Sequence, residues 1–462
     1  MWHSQGLTSP VAYISPAPLP ASSSSASAQT FAVAYNDGSI RLWSFNPSTP
    51  EVEAGEIVTF NGHKKSPTTL SWDLEGTRLA SGGTEGEIVV WDTVAEVGLF
   101  RLRGHRGPVT SIRFIPHPTL EVTSHPGYLV STSKDTYLKL WDLSTQHCIQ
   151  TVVVGRGEVT SCDAMEEAGE DEEGGDGRWI VITGSGDGEA KVWSIERAAL
   201  IAGLEKDASG EVSHISLTVA TTYRQLPTLI KPVCNLPITA SNQAITQIQF
   251  HPHQPLILLQ TSDRNTTIIR LRTEEEVAAK RARRKKRDKE KGKKKGDAEG
   301  ETVEEEDSAI KYEERVVEWC TIRANAKVRS FAISPEDVGS GKGGISILVA
   351  QGNNAIKVYS CPSPIGKKSK ETIEPVELHT IDLPGHRQDI RSLCVSSDDQ
   401  VVCSASNGSV KIWNLKTGVC LRTIEGGYAV CSTFLPGDRH VSLSILNTIS
   451  HLQVGRGRYQ IR

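Results

Sequence analysis

Three groups of residues in this chain combine the types that nucleophilic catalysis uses. His105, Ser131 and Asp135 could make a Ser–His–Asp set, in which imidazole takes the hydroxyl proton and a carboxylate orients the ring. His63, Ser81 and Glu85 form a parallel group, and so do His386, Ser404 and Asn407. An enzyme needs one such set, so recurrence at regular phase argues for architecture instead. Two further motifs are weaker. GSGKGG at 339–344 lacks the GxxxxGK[ST] spacing of a phosphate loop. HPHQP at 251–255 could suggest a metal, but it falls where the other repeats carry different polar residues in a turn. The nine cysteines are odd in number and never spaced CxxC, so they read as reduced core residues, neither a disulfide frame nor a zinc site. No catalytic residue, cofactor, metal or small-molecule substrate is expected.

A different chemistry is written at 273–307. Thr273 followed by Glu276 fits a capping box, with acids in the first turn. The segment continues VAAKRARRKKRDKEKGKKKG, without an aromatic and without a β-branched residue after Val277. It predicts a helix that is polar all round and therefore outside any core, projecting between two repeats. Positions 280–296 hold twelve Lys/Arg against two acids, while the whole chain carries −4. The candidate contacts are Lys280, Arg281, Arg283, Arg284, Lys285, Lys286, Arg287 and Lys289. Three readings stand: a nuclear or nucleolar address, contact with RNA phosphates, or a merely solvated surface helix.

The elements that must position these residues are repeated. FAVAYNDGSIRLW ends at Trp43, LASGGTEGEIVVWD contains Trp91, LVSTSKDTYLKLWD contains Trp141, IVITGSGDGEAKVW ends at Trp193 and VVCSASNGSVKIW ends at Trp413. In each, a polar residue opens a turn six positions before the tryptophan: Asp37, Glu85, Asp135, Asp187, Asn407. Alternation then runs up to the aromatic, which predicts a β-hairpin half-buried on each face. Two degenerate copies end at Tyr359, after Asn353, and at Ile269, after Asp263. The first three intervals between tryptophans are 48, 50 and 52 residues. An apolar strand ending in a Pro turn precedes most hairpins, read as the outer-to-inner order of a four-stranded propeller blade. Residues 17–30 and 166–177 read as loops, and the strands of 196–243 have no clear signature. No stretch approaches the ~18 apolar residues of a membrane helix. The opening MWHSQGLTSP is not a secretory signal.

These repeats resemble the WD-repeat family over nearly the whole chain. The resemblance implies that the polar groups are a buried network. His105 would bond Ser131, Ser131 would meet the Trp141 indole, and Asp135 would hold the turn near His105. His63–Ser81–Glu85–Trp91 and His386–Ser404–Asn407–Trp413 would be parallel sets. Arg156 stands in the histidine's place before Trp193, so that network should be incomplete.

The sequences 88–105, 131–151, 383–438 and the basic insertion are similar to one WD-repeat family, the twin-propeller subunits of the UTP-B complex. The resemblance implies an all-β fold: six blades plus the remnant of a seventh at 1–365, carrying the charged helical insertion at 273–307. The opening blade of a second propeller would follow at 376–441, then a non-family tail at 442–462. A single ring of all seven hairpins is the alternative. MWHSQGL would be the last strand of an opening blade, and the chain is expected to be shortened at both ends relative to the family. The implied role is a scaffold of the small-subunit processome in the nucleolus, with other UTP-B WD-repeat subunits, snoRNA and pre-rRNA as partners and no membrane. A generic WD adaptor, such as a substrate receptor or signalling scaffold, is the competing role.

Overall fold

The computed structural model describes residues 9–18, 29–45, 55–116, 126–167, 177–197, 200, 204–206, 212–214, 228–238, 243–293, 311–333, 344–362, 374–381, 385–398, 400–434, 440–445 and 448–453. The third repeat shows how the sequence becomes a sheet. Tyr128–Ser133 and Tyr137–Asp142 pair antiparallel, with Leu129 opposite Trp141 and Ser131 opposite Lys139. The turn between them places Thr136 at φ 74°, where the equivalent turns carry Gly38, Gly86 and Gly188. Val109–Ile115 and His147–Val153 complete the sheet on either side.

Five other sheets repeat this plan. The first contains Val11–Pro16, Gln29–Tyr35, Ser39–Phe45 and Gly55–Asn61; the second, Pro67–Trp72, Arg78–Gly83, Glu87–Asp92 and Val97–Arg103. The fourth contains Val159–Glu167, Arg178–Ser185, Ala190–Glu196 and Ile230–Asn235. Its last strand lies in the stretch without a sequence signature, beside a small ladder of Leu204–Lys206 with Val212–His214. The fifth contains Ile245–Phe250, Leu256–Thr261, Asn265–Leu271 and Val316–Arg323; the sixth, Val328–Ile333, Gly344–Gln351, Ile356–Pro362 and Val376–Ile381.

The seventh sheet is built from Ile390–Val395, Val401–Asn414, Cys420–Phe434, His440–Ile445 and Thr448–Gln453. Its long second strand folds back on itself. Nine extended residues would span about 30 Å, yet the Trp413 indole N–H donates to Ser404 Oγ at 2.7 Å. The fold lies at Asn407–Gly408, with Gly408 at φ 89°. Beyond the expected end of the repeat pattern, the last two strands form a hairpin that extends this sheet.

The chain divides into two compact units, Met1–Arg323 with Lys367–Thr372, and Ala324–Gly366 with Ile373–Arg462. Within the first, the sheets stack face to face in chain order. Leu70, Leu79 and Trp91 of the second sheet pack with Ala32, Ile40 and Leu42 of the first. Val109, Ile112 and Trp141 of the third pack on Ala80, Ile88 and Val90 of the second. The same pattern joins the third to the fourth and the fourth to the fifth. Covering on both sides buries central strands completely, as in Tyr128–Ser133, rather than half-burying each face as alternation predicted. The second unit has its own small core in the seventh sheet, of Cys403, Ala405, Val410, Ile412 and Val441.

Two expectations are corrected. Strand order within a blade is the reverse of outer-to-inner: the first strands of sheets one to five lie against one another, and those of the second and third, Pro67–Trp72 and Val109–Ile115, are mostly buried, whereas the fourth strands Val97–Arg103 and His147–Val153 are mostly exposed or half-buried. The basic helix does not leave from between two repeats either. It is inserted inside one sheet, between the third and fourth strands of the fifth, because Leu271 pairs with Val316 and Arg272 N–H donates to Arg315 O at 2.8 Å.

Candidate nucleic-acid interface

Helix α1, Glu274–Lys293, carries the basic run. It begins where Thr273 caps it: the Glu276 N–H reaches Thr273 Oγ1 at 3.4 Å and the Val277 N–H reaches Thr273 O at 3.2 Å. The reciprocal half of the capping box is replaced, since the Glu276 carboxylate accepts from Arg270 at 2.7 Å. Glu274, Glu275 and Glu276 in the first turn complement the positive helix end. Val277 is the one fully buried side chain among those described on the helix, at 1% exposure.

A short helix α2, Tyr312–Arg315, holds the base of α1. Arg281 grips Glu314 with both ends of its guanidinium, Nε at 2.8 Å and Nη2 at 3.1 Å. The hydrogen bonds from Arg281 hold the Glu314 carboxyl below its ordinary pKa. Arg315 reaches Glu167 at 2.6 Å, and its Nε donates to Arg272 O at 3.1 Å. The Tyr312 ring is buried with Arg178 and Arg315 over it at 5.8 and 5.3 Å, and burial raises its phenol pKa. Tyr312, Glu314 and Arg315 carried no motif in the sequence; their role follows only from where the chain re-enters the fifth sheet.

Of the candidate basic residues, Lys280, Arg283, Arg284 and Lys286 are exposed, and Arg281 is half-buried in its clamp. Lys285, Arg287 and Lys289 lie on the same helical backbone. The helix therefore presents cations of a kind that meets phosphate, on a base fixed by ion pairs and one apolar contact.

The three histidine groups are assembled elsewhere, and differently from one another. His105 Nε2 lies 2.7 Å from Ser131 Oγ, which also accepts the Trp141 indole N–H at 2.8 Å. With a neutral ring, Nδ1–H donates to Asp135 Oδ2 at 2.9 Å, and the Arg106 amide donates to the same oxygen at 2.9 Å. His63 likewise meets Ser81 at 2.7 Å, and the Trp91 indole meets Ser81 at 2.8 Å. Glu85 does not join that group: its carboxylate sits 3.7 Å from Lys65 Nζ at the surface, one methylene too long for the aspartate's place. His386 meets Ser404 at 2.6 Å, but its Nδ1 partner is Ser409 at 3.1 Å rather than Asn407. In the Trp193 sheet, Thr183 takes the indole N–H at 2.9 Å and Asp187 accepts from Gly157 N–H at 3.2 Å; Arg156 supplies no ring. Burial pushes His63 down to about 4 and lowers His105 and His386 as well. Ser131 is wholly buried, with its oxygen already engaged twice. This is a lock on strand register.

His251 of HPHQP is buried, and its Nδ1 accepts the amides of His253 and Gln254, both at 3.1 Å, so it closes a turn. No group of metal-ligating residues occurs among the described residues. Residues 334–343, with most of GSGKGG, and 168–176 lie outside the described residues.

Stacked four-stranded sheets, most with a third strand that carries an aromatic near its end and several with the indole tied to a hydroxyl on the strand before, define a WD-repeat β-propeller protein. Residues 376–414 match the WD domain, G-beta repeat, and residues 12–195 match the WDR3 first beta-propeller domain. U3 small nucleolar RNA-associated protein 12 of Saccharomyces cerevisiae is 32% identical over 423 residues, 90% of this chain and 38% of that protein. WD repeat-containing protein 3 of Homo sapiens is 37% identical over 142 residues, 30% of this chain and 14% of that protein. The chain belongs to this family of WD repeat-containing protein 3 and U3 small nucleolar RNA-associated protein 12. It spans little more than a third of the length of the yeast relative.

Proposed function

We propose that this chain is a non-catalytic scaffold of ribosome biogenesis, acting in the nucleolus within the UTP-B part of the small-subunit processome. Its partners on this reading are snoRNA, pre-rRNA and other UTP-B WD-repeat subunits. The yeast relative's name, which couples it to U3 small nucleolar RNA, supports the class. The observation that carries an RNA role is α1: a helix on which Lys280, Arg283, Arg284 and Lys286 are exposed, anchored at its base by Val277 and the Arg281–Glu314 pair. A generic substrate receptor has no use for such a cluster. The absence of catalysis is part of the proposal, supported by the inaccessible Ser131. So is a division into a first propeller and the start of a second, but with different bounds from the expected 1–365, 376–441 and tail 442–462: Val376–Ile381 pairs with Ile356–Pro362 in the sixth sheet, and His440–Ile445 with Thr448–Gln453 extends the seventh.

Binding to phosphates releases counterions, so log affinity should fall linearly with log salt. If α1 meets about five phosphates, the slope is roughly −3 to −5. Replacing Arg283, Arg284, Lys285, Lys286 and Arg287 together by Gln flattens it. A slope unchanged in that variant rejects α1 as the RNA contact.

A further inference from the structure

Resting on the RNA reading of α1, we propose that the arm takes duplex RNA in preference to single strands, lying along a groove and meeting the phosphates of both strands. Two features of the helix lead there, and both are independent of the family.

The first is charge density. Arg283, Arg284, Lys285, Lys286 and Arg287 are consecutive, so their helical backbone supplies one cation per ~1.5 Å of axis. Double-stranded DNA carries one phosphate charge per roughly 1.7 Å of axis and one of its strands about one per 3.4 Å, and an A-form RNA duplex, with a shorter rise, is at least as dense. The run matches the duplex and is about twofold too dense for a single strand. Helical geometry reinforces the match. Successive residues are rotated by about 100°, so five in a row sweep the whole circumference of the helix. A single strand lying along one side would reach only some of them. A groove has a phosphate backbone on each flank and meets cations pointing both ways.

The second is what the helix lacks. Glu274–Lys293 contains no Phe, Tyr, Trp or His. Non-specific single-strand binders combine a basic groove with aromatic faces on which unstacked bases sit, worth ~1–3 kcal/mol per base. Nothing on α1 provides such a face. A partner whose bases are already stacked and paired loses nothing by this absence, and it is held through its backbone. The same lack of base-reading side chains predicts indifference to sequence, as expected where protein meets RNA through phosphates and shape.

The anchoring at Arg281 matters to this geometry. Because Arg281 is committed to Glu314 by two hydrogen bonds, the unbroken run of cations begins at Arg283 and the arm's direction is set at its base. A fixed rod suits a rigid duplex.

The test is fluorescence anisotropy with the full chain, over a salt series. The probes are a labelled blunt RNA duplex of about twenty base pairs and an unstructured uridine homopolymer of equal nucleotide length. The expected result is at least about tenfold tighter binding of the duplex at low salt, with a steeper salt slope. A second duplex of scrambled sequence binds equally, and the five-Gln variant loses the gap. Equal or tighter binding of the homopolymer, with the same slope, overturns the duplex proposal while leaving RNA binding by α1 standing. Binding of neither probe overturns both.

Discussion

Ser131 Oγ accepts an indole N–H and also meets an imidazole, and the imidazole is in turn held by Asp135, so one buried hydroxyl ties two strands, the turn between them and the loop that carries His105. Removing the ring breaks the chain at its largest member. Trp141 is 1% exposed, and truncating it to Ala should cost on the order of 3–5 kcal/mol, with the indole's hydrogen bond to Ser131 lost as well while His105 keeps its own. Tyr359 is also buried but has no such histidine set, so Tyr359→Ala should cost less. Urea midpoints of the two variants decide the order, and the reverse order contradicts the network's role. The histidines also give the fold a pH dependence. Burial holds His63 near 4 and lowers His105 and His386, while an unfolded imidazole takes up its proton near 6.5. The unfolded state therefore binds more protons as pH falls. The stabilisation is fully present above about 6.5 and is lost as pH drops through the folded value near 4. Urea midpoints should decline across that window, and a midpoint flat from about pH 7 to 4.5 counts against neutral buried rings.

At the scale of elements, α1 contains two kinds of base that look alike in sequence. Arg281 is consumed by Glu314, whereas Arg283 is exposed beyond the clamp. Arg281→Gln should leave the RNA salt slope unchanged, and Arg283→Gln should reduce its magnitude by roughly 0.7–0.9, the contribution of one phosphate. Equal reductions would show that the ion pair does not hold in the complex. This pair also marks where sequence reading stops. Most hairpins were legible because an aromatic ends them at fixed phase, six residues after a polar turn residue, and the Ser131–Trp141 pairing followed from family resemblance. The helix itself was legible from Thr273, the following acids and the absence of β-branched residues. Its point of insertion was not, since strand order depends on which segments pair across a long insertion, as Leu271 and Val316 do. Nor was the fourth strand Ile230–Asn235, whose sequence IKPVCN carries no alternation. Glu85 and Asn407 were grouped with their histidines by position alone, and side-chain length sent one to Lys65 while Ser409 displaced the other.

Over the whole molecule, equivalent positions meet different surroundings. Val109 and Ile112, four and seven residues after His105, are fully buried against the preceding sheet. Ile390 and Leu393 hold the same places after His386 and are 57% and 62% exposed. Ile112→Thr should therefore destabilise by about 2–4 kcal/mol, through lost packing and a buried hydroxyl. Leu393→Thr should lie within ~0.5 kcal/mol of the parent and raise the temperature at which light scattering detects aggregation. A large loss from Leu393→Thr would mean that this face is covered.

The central claim, an RNA-linked scaffold working through α1, is tested most directly by gradient sedimentation of the tagged full chain from cell extracts, with RNA probed in each fraction. The account predicts that the chain travels with large pre-ribosomal particles containing U3 snoRNA, and that the five-Gln variant of residues 283–287 shifts toward the top. A chain that stays near the top as free protein, with no snoRNA in its fractions, would contradict it.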